Sequence, residues 1–116
     1  MSFGVIVDDE ESILDEFVDS LELLGHTSRC FVNPLLALSF LSETKLTVDF
    51  VFVDLMMPQM DGMIFIKNAK KLTGLSTHFF LMTGVPEHTV SKQTEIPVSQ
   101  VLRKPISFTE ICRLIT

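Results

Sequence analysis

The sequence predicts a single α/β domain in which helices cover both faces of one parallel, five-stranded sheet, in three layers. Three observations lead to this fold class. The chain has 116 residues, enough for one buried core but not for two. Five short apolar runs alternate with helix-like stretches. With 47% apolar and 21% charged residues, the chain can bury enough surface to offset its ordering entropy, which excludes general disorder.

The five apolar runs are the predicted strands. They occupy residues 4–7, 28–32, 50–53, 79–82 and 98–102. The third and fourth runs hold no polar residue, which is typical of parallel strands that are buried on both faces. Helices between parallel strands imply right-handed crossovers. A sheet of this kind binds its ligands beyond the carboxyl ends of the strands, near the point where strand order reverses.

Two helices are predicted in the first half of the chain. In residues 11–24 the apolar positions recur on one helical face, and Gly25 follows as a stop. Asn33 and Pro34 are typical of an N-cap and a first helical position, and they predict a second helix over 35–42.

Three more helices follow. Asp61 is expected to cap a third helix over 62–72, which would end before a glycine. The stretch 87–94 predicts a short, polar fourth helix. Ser107 and Glu110 stand at capping-box spacing, so a last helix is expected to begin there and continue to the C-terminus.

Charge excludes some classes of partner. The net charge is −6, and residues 1–22 hold eight acids and no base. No run of bases is longer than two, so the chain lacks the basic patch that binds nucleic acid or anionic lipid. We therefore expect no direct nucleic-acid partner and no membrane partner.

The cysteines and the apolar runs indicate the compartment. Cys30 and Cys112 form no metal-binding or redox spacing, and both are predicted to be reduced and buried in the core. No apolar run reaches the roughly 20 residues that span a bilayer, and the N-terminus has no basic region before an apolar one. A soluble, cytoplasmic protein is expected.

Polar residues directly follow four of the five predicted strands. These residues are Asp8, Asp9, Asp54, Thr83 and Lys104. Taken one at a time, each has an ordinary explanation as a helix cap, a turn residue or a solvated charge; Asp8 or Asp9, for example, could cap the first helix. Parallel strands, however, bring their carboxyl ends to one edge, so we expect these side chains to lie together.

Such a cluster has a definite chemistry. Three carboxylates within a few ångströms repel one another unless a cation is present. Oxygen ligands without His or Cys favour Mg²⁺ or Mn²⁺, and Mg²⁺ prefers to share its shell with a phosphate. Lys104 and Thr83 would complete a site for a phosphoryl group, which one of the carboxylates would accept.

Four motifs carry a resemblance to a known family. They are VDDE at 7–10, VDLMMP at 53–58 with Asp61-Gly62, Thr83-Gly84, and Lys104-Pro105. In order and spacing they resemble the receiver domain of bacterial two-component response regulators, the CheY-like superfamily. The resemblance covers essentially the whole chain and implies one receiver domain over residues 1–116. It also implies a flavodoxin-like (β/α)5 fold with strand order 2-1-3-4-5.

The resemblance implies roles for individual residues. Asp54 would be the phosphoacceptor, and its donor would be the phosphohistidine of a histidine kinase or phosphotransfer protein. Asp9 would bind Mg²⁺ directly, Asp8 largely through water, and Met56 through its backbone carbonyl. Manganese is an expected substitute for magnesium.

Further positions would surround the phosphoryl group. Lys104 would contact its oxygens, with a cis peptide bond to Pro105. Thr83 would move toward the phosphoryl group when it arrives, and Gly84 fits the small residue that the family needs beside it.

One position departs from the family pattern. The aromatic switch residue stands three positions before the lysine in the family, and here that position is Val101. Our hypothesis is that phosphorylation acts less through a rotating ring than through a shift of the polar helix at 87–94. In the family, two further positions line the path of the hydrolytic water, and the resemblance places Met56 and Val85 there. Both are apolar, which predicts slow self-dephosphorylation.

The sequence thus predicts a signalling module that catalyses only its own phosphorylation and dephosphorylation. Phosphorylation would change its interaction with a downstream effector protein or domain, or drive formation of a dimer. The main alternative is a degenerate receiver that binds proteins without phosphorylation. An Asp-nucleophile phosphohydrolase is disfavoured because Met56 stands where that class needs a second Asp, and a flavin module because Asp8 to Glu11 would repel the phosphate.

Overall fold

The apolar runs form a five-stranded sheet in the computed structural model, which describes residues 2–84 and 100–115. The strands are β1 (Phe3–Val7), β2 (Thr27–Phe31), β3 (Phe50–Asp54), β4 (His78–Thr83) and β5 (Gln100–Arg103). The helices of the described residues are α1 (Glu11–Leu23), α2 (Pro34–Glu43), α3 (Gly62–Ala69) and α4 (Phe108–Ile115).

All strand pairs are parallel, and the order is β2-β1-β3-β4-β5, which confirms the expected fold. The order reverses between β1 and β3, so a crevice opens beyond the carboxyl ends of these two strands. The register brings Asp54 beside Met82 and Thr83 beside Arg103. The ends of β3, β4 and β5 therefore reach the same edge of the sheet.

Two hydrophobic clusters lie on opposite faces of the sheet. One packs Val51, Val53 and Leu81 against side chains of α2 and α3. The other packs Phe52 and Phe80, whose rings stack with centroids 4.7 Å apart, against α1 and α4. Successive side chains of a strand point to opposite faces, and both faces are covered here, which explains the unbroken apolar runs at 50–53 in β3 and 79–82 in β4.

Helix α1 has the predicted apolar face and ends one residue earlier than expected. Its buried residues Leu14, Phe17 and Leu21 face the sheet. Gly25 follows with φ of 84°, a left-handed conformation that favours glycine and ends the helix. The N-cap is Glu10, and no side chain caps the helix, so neither Asp8 nor Asp9 has the capping role that each could have had.

The caps of the other helices are confirmed. Asn33 accepts a hydrogen bond from Leu35 N at 2.9 Å, Asp61 accepts one from Ile64 N at 2.9 Å, and Ser107 accepts one from Glu110 N at 3.1 Å. These bonds satisfy amide groups that a helix leaves unpaired in its first turn.

The predicted extent of α3 is wrong by three residues. The helix ends at Ala69, and residues 70–72 continue in tighter turns. Lys71 N donates to Asn68 O at 3.2 Å and Leu72 N donates to Ala69 O at 2.9 Å. Both bonds span three residues, the tightening that is common in a last helical turn.

The cysteines are free, but the prediction that both are buried is wrong, because each is partly exposed. Cys30 lies on β2, an edge strand that has a neighbour on one side only.

Some predicted features lie outside the described residues. They are Val85, the expected helix at 87–94, residues 98 and 99 of the expected fifth strand, and Thr116. None of the described helices is long and apolar enough to cross a membrane.

Candidate functional site

The carboxyl ends of the strands bring two acids and one base into direct contact. Lys104, which follows β5, places its Nζ 2.8 Å from Asp8 Oδ2 and 3.2 Å from Asp54 Oδ1. Asp8 follows β1 and Asp54 ends β3, so the three residues meet at the reversal of strand order. The sequence predicted this meeting from strand ends alone.

Backbone hydrogen bonds fix the segments that carry these side chains. Asp8 N donates to Phe31 O at 3.1 Å, and Asp8 Oδ1 accepts from Glu10 N at 2.9 Å. Lys104 N donates to Thr83 O at 2.8 Å, and the peptide bond from Lys104 to Pro105 is cis, as the resemblance implies. The Asp8 carboxylate is therefore held by the turn that leads into α1.

Burial and charge set the protonation of the site. Asp54 is only 6% exposed, and its burial, together with the nearby Asp8 carboxylate, raises its pKa to about 6. Lys104 and the Met56 amide oppose that rise. Burial alone would lower the pKa of Lys104, but its contacts with Asp8 and Asp54 outweigh burial, and the pKa is raised. The ammonium is therefore charged at neutral pH.

Three neighbouring carboxylates offer a site for a hard cation. Oxygens of Asp8, Asp9 and Glu10 lie within 4.8 Å of one another; Asp8 is buried, while Asp9 and Glu10 are exposed. Asp8 Oδ2 is close to Lys104 Nζ, but among the described residues it accepts no hydrogen bond of good geometry. An oxygen donor set with one such buried oxygen fits Mg²⁺ or Mn²⁺.

Glu10 is the residue of this cluster that the sequence did not assign to the site. Its Oε1 also lies 3.9 Å from Lys104 Nζ, so its charge adds to that of the two aspartates. The sequence signal that could have identified Glu10 is its position directly after Asp8 and Asp9. Asp54, which is expected as a third carboxylate ligand, contacts Lys104 in this structure, and its role as a metal ligand stays a prediction.

Met56 and Gly62 shape the segment that follows Asp54. The Met56 amide donates to the Asp54 carboxylate, while its side chain is 72% exposed. A Cβ on Gly62 would collide with the Asp54 carbonyl oxygen and crowd the Leu55 Cα and the Leu81 side chain. Glycine therefore lets α3 begin against the end of β3.

The remaining predicted positions lie at the same edge or near it. Thr83 is buried at the end of β4, and Gly84 after it is exposed. Val101 pairs with Leu81 across β4 and β5 and packs, partly buried, against the cluster on the α2 and α3 face. Val101 is an aliphatic residue of this sheet face, so no aromatic ring stands at the expected switch position.

A sequence profile described as response regulator receiver domain matches residues 5–116. The chain belongs to this family. No protein among those with curated functions matches the chain at a significant level. Membership of the receiver family removes the phosphohydrolase and flavin alternatives, because both belong to other families.

Solved structures agree on the fold. A CheY-like receiver domain protein from Methanospirillum hungatei superimposes with a TM-score of 0.86 at 19% identity, covering 97% of this chain and 89% of the other. The signal receiver domain of an HD domain-containing protein from Pseudomonas fluorescens gives 0.83 at 26% identity, with 97% and 89% covered. A Burkholderia pseudomallei response regulator, solved with a phosphorylated aspartic acid, calcium and citrate, gives 0.86 at 20% identity, with 100% and 67% covered.

The receiver family defines the general role of the chain. Receiver domains are signalling modules of two-component systems, they typically bind Mg²⁺ at an acidic site, and they interact with histidine kinases and effector domains. The acidic group of this chain, Asp8, Asp9 and Glu10, is found beside Lys104 and Asp54.

Proposed function

We propose that this receiver accepts a phosphoryl group on Asp54 from the phosphohistidine of a histidine kinase or phosphotransfer protein, in a reaction that needs Mg²⁺ or Mn²⁺. The product would control an interaction with an effector protein or domain, or formation of a dimer. The observation that carries this proposal is a buried Asp54 in contact with the partly buried Lys104, beside three clustered carboxylates. A cytoplasmic location stays a prediction.

The chemistry is a direct transfer. An oxygen of the ionised Asp54 carboxylate attacks phosphorus, and the new O–P bond forms as the P–N bond of the phosphohistidine breaks. The electron pair of the broken bond returns to the imidazole nitrogen. The Asp54 pKa of about 6 leaves most of the carboxylate ionised at neutral pH, the form that attacks.

Lys104 supplies a positively charged side chain for this reaction. Its ammonium already lies 3.2 Å from Asp54 Oδ1, so a modest movement brings it to an oxygen of the incoming phosphoryl group. There the ammonium stabilises the negative charge of the phosphoryl group, and this stabilisation is strongest in a site that is shielded from water. The Met56 amide, which donates to the carboxylate, helps to orient Asp54 for attack.

A divalent cation would neutralise charge on the phosphoryl oxygens when bound. Asp8 and Asp9 would hold it, with the Met56 carbonyl, Asp54 and the newly recognised Glu10 as further oxygen donors. The Burkholderia response regulator, which was solved with a phosphorylated aspartic acid and calcium, supports this assignment by analogy.

Val101 favours a second candidate function, a receiver that binds its partner without phosphorylation. An aliphatic residue at the switch position weakens the expected link between the phosphoryl site and the surface. The hypothesis that residues 87–94 carry the switch instead concerns a segment outside the described residues. In the phosphotransfer function only, we propose that the phosphoryl group is surrounded by Thr83, Gly84 and Pro105.

Labelling with acetyl phosphate separates the two candidates. We expect the wild type to gain one hydroxylamine-labile phosphoryl group per chain with Mg²⁺, and none with a chelator. Asp54→Ala should gain none, whereas Asp15→Asn, a control on the exposed side of α1, should be labelled like the wild type. No labelling of the wild type would reject phosphotransfer and favour the phosphorylation-independent scaffold.

A further inference from the structure

A groove of about 420 Å³ lies between α1 and the chain that follows β5. Its walls are apolar side chains from four parts of the fold: Ile13, Phe17, Met82, Ile106, Phe108 and Ile111. Phe108 is 45% exposed, so the groove is open to solvent on that side. This size and this apolar lining are within the range of sites that bind small molecules.

The charged side chains that line the groove leave it with a net negative charge. Glu16 and Asp19 line it, three residues apart on the exposed side of α1. The one base among the lining residues of the described chain is Lys104, whose ammonium is already paired with Asp8 and Asp54. The free charge that a ligand meets is therefore negative, and nearby residues 1–22 add further acids and no base.

We propose that this groove binds a small organic cation, with an aromatic or branched aliphatic body carrying one ammonium, guanidinium or amidinium group. The body would fill the space between Phe17, Ile111 and Phe108, and the cationic group would lie toward Glu16 and Asp19. An anion of the same shape would lose this attraction and meet two carboxylates. The proposal does not depend on phosphorylation, because it concerns the unphosphorylated chain.

The test is an NMR titration of the isotopically labelled chain with three probes of nearly equal shape. They are phenethylammonium, the neutral phenethyl alcohol and the anionic phenylpropionate. We expect shifts at the methyl groups of Ile13, Ile106 and Ile111, with the ammonium binding about fivefold more tightly than the alcohol at low salt. The phenylpropionate should bind more weakly still. Added salt should reduce only the difference between probes.

Charge variants give the decisive comparison. Glu16→Gln with Asp19→Asn should remove the preference for the cation, whereas Asp15→Asn with Glu22→Gln, which changes two acids of the same helix outside the groove, should keep it. All four side chains are exposed, so both variants should fold. Equal affinity for the three probes, or equal loss of the preference in both variants, would overturn the proposal.

A filling variant checks the location. Ser20 also lines the groove, and Ser20→Leu should weaken the binding of all three probes at least tenfold. Cooperative thermal unfolding of this variant is shown first, so that its affinities can be compared with those of the wild type. If the charge variants behave as expected but the methyl shifts map away from Ile13 and Ile111, the groove is not the site and the proposal fails.

Discussion

Replacing Asp54 with Asn should stabilise the metal-free protein at neutral and alkaline pH. The carboxyl has a pKa of about 6 in the folded chain and an ordinary value of 3.8. Between these values the folded state holds a proton that the unfolded state has released. The contribution of Asp54 to the free energy of unfolding therefore falls with rising pH, by about 1.4 kcal/mol per unit between the two values, and levels off above pH 6.

The size of the effect follows from the two values. A difference of about two units corresponds to roughly 3 kcal/mol at pH 8, and the small exposure of Asp54 leaves little screening by solvent. Asn is neutral at every pH but still buries an amide, so we expect Asp54→Asn to be about 1–3 kcal/mol more stable than wild type at pH 8. The two proteins should converge near pH 4.

Urea unfolding of both proteins from pH 4 to 8, with a chelator present, measures this difference. Titration of the other acids cancels between wild type and variant, and Asp15→Asn provides a control at an exposed carboxylate. A stability difference that does not change with pH, or a wild type that is the more stable protein at pH 8, would refute the reasoning. Mg²⁺ should shrink the difference because it stabilises the ionised carboxylates.

Three further predictions test the site and its support. Lys104→Met should lower the free energy of unfolding by about 3 kcal/mol at pH 8, because it leaves two buried carboxylates without their cation. Urea unfolding measures this loss, and an unchanged value would contradict a stabilising ion pair. Mg²⁺ should raise the melting temperature of the wild type, and Asp9→Asn should lose most of that rise in calorimetry; a full rise in the variant would remove Asp9 from the metal site. Gly62→Ala should cost about 1–3 kcal/mol in urea unfolding through its clash with the end of β3, while Gly74→Ala, where a Cβ meets nothing within 4 Å, should be nearly neutral; equal effects would be inconsistent with the packing described.

Much of the fold follows from local rules. The apolar runs of β3 and β4 and the caps at Asn33, Asp61 and Ser107 depend on short stretches of sequence, and the structure confirms them. The end of α3 was misplaced because residues 70–72 keep a helix-compatible composition while their hydrogen bonds tighten. Strand β2 is less apolar than the inner strands because an edge strand is covered less completely than an inner one.

The members of the site were predictable except for Glu10, but the pairing between them was not. Parallel topology is sufficient to bring Asp8, Asp54 and Lys104 to one edge. That Lys104 contacts both aspartates, and that Glu10 joins the acid pair, depends on side-chain directions that spacing along the chain does not contain. The raised pKa of Asp54 likewise depends on burial, which only the folded structure supplies.

The central claim is that Asp54 carries the phosphoryl group, and chemical trapping tests it most directly. After reaction with acetyl phosphate and Mg²⁺, borohydride reduces an aspartyl phosphate to homoserine, which peptide mass spectrometry locates. We predict homoserine at position 54, and none when Mg²⁺ is withheld. Homoserine at Asp8, Asp9 or any other aspartate, or no conversion in a protein that Mg²⁺ demonstrably stabilises, would contradict the account.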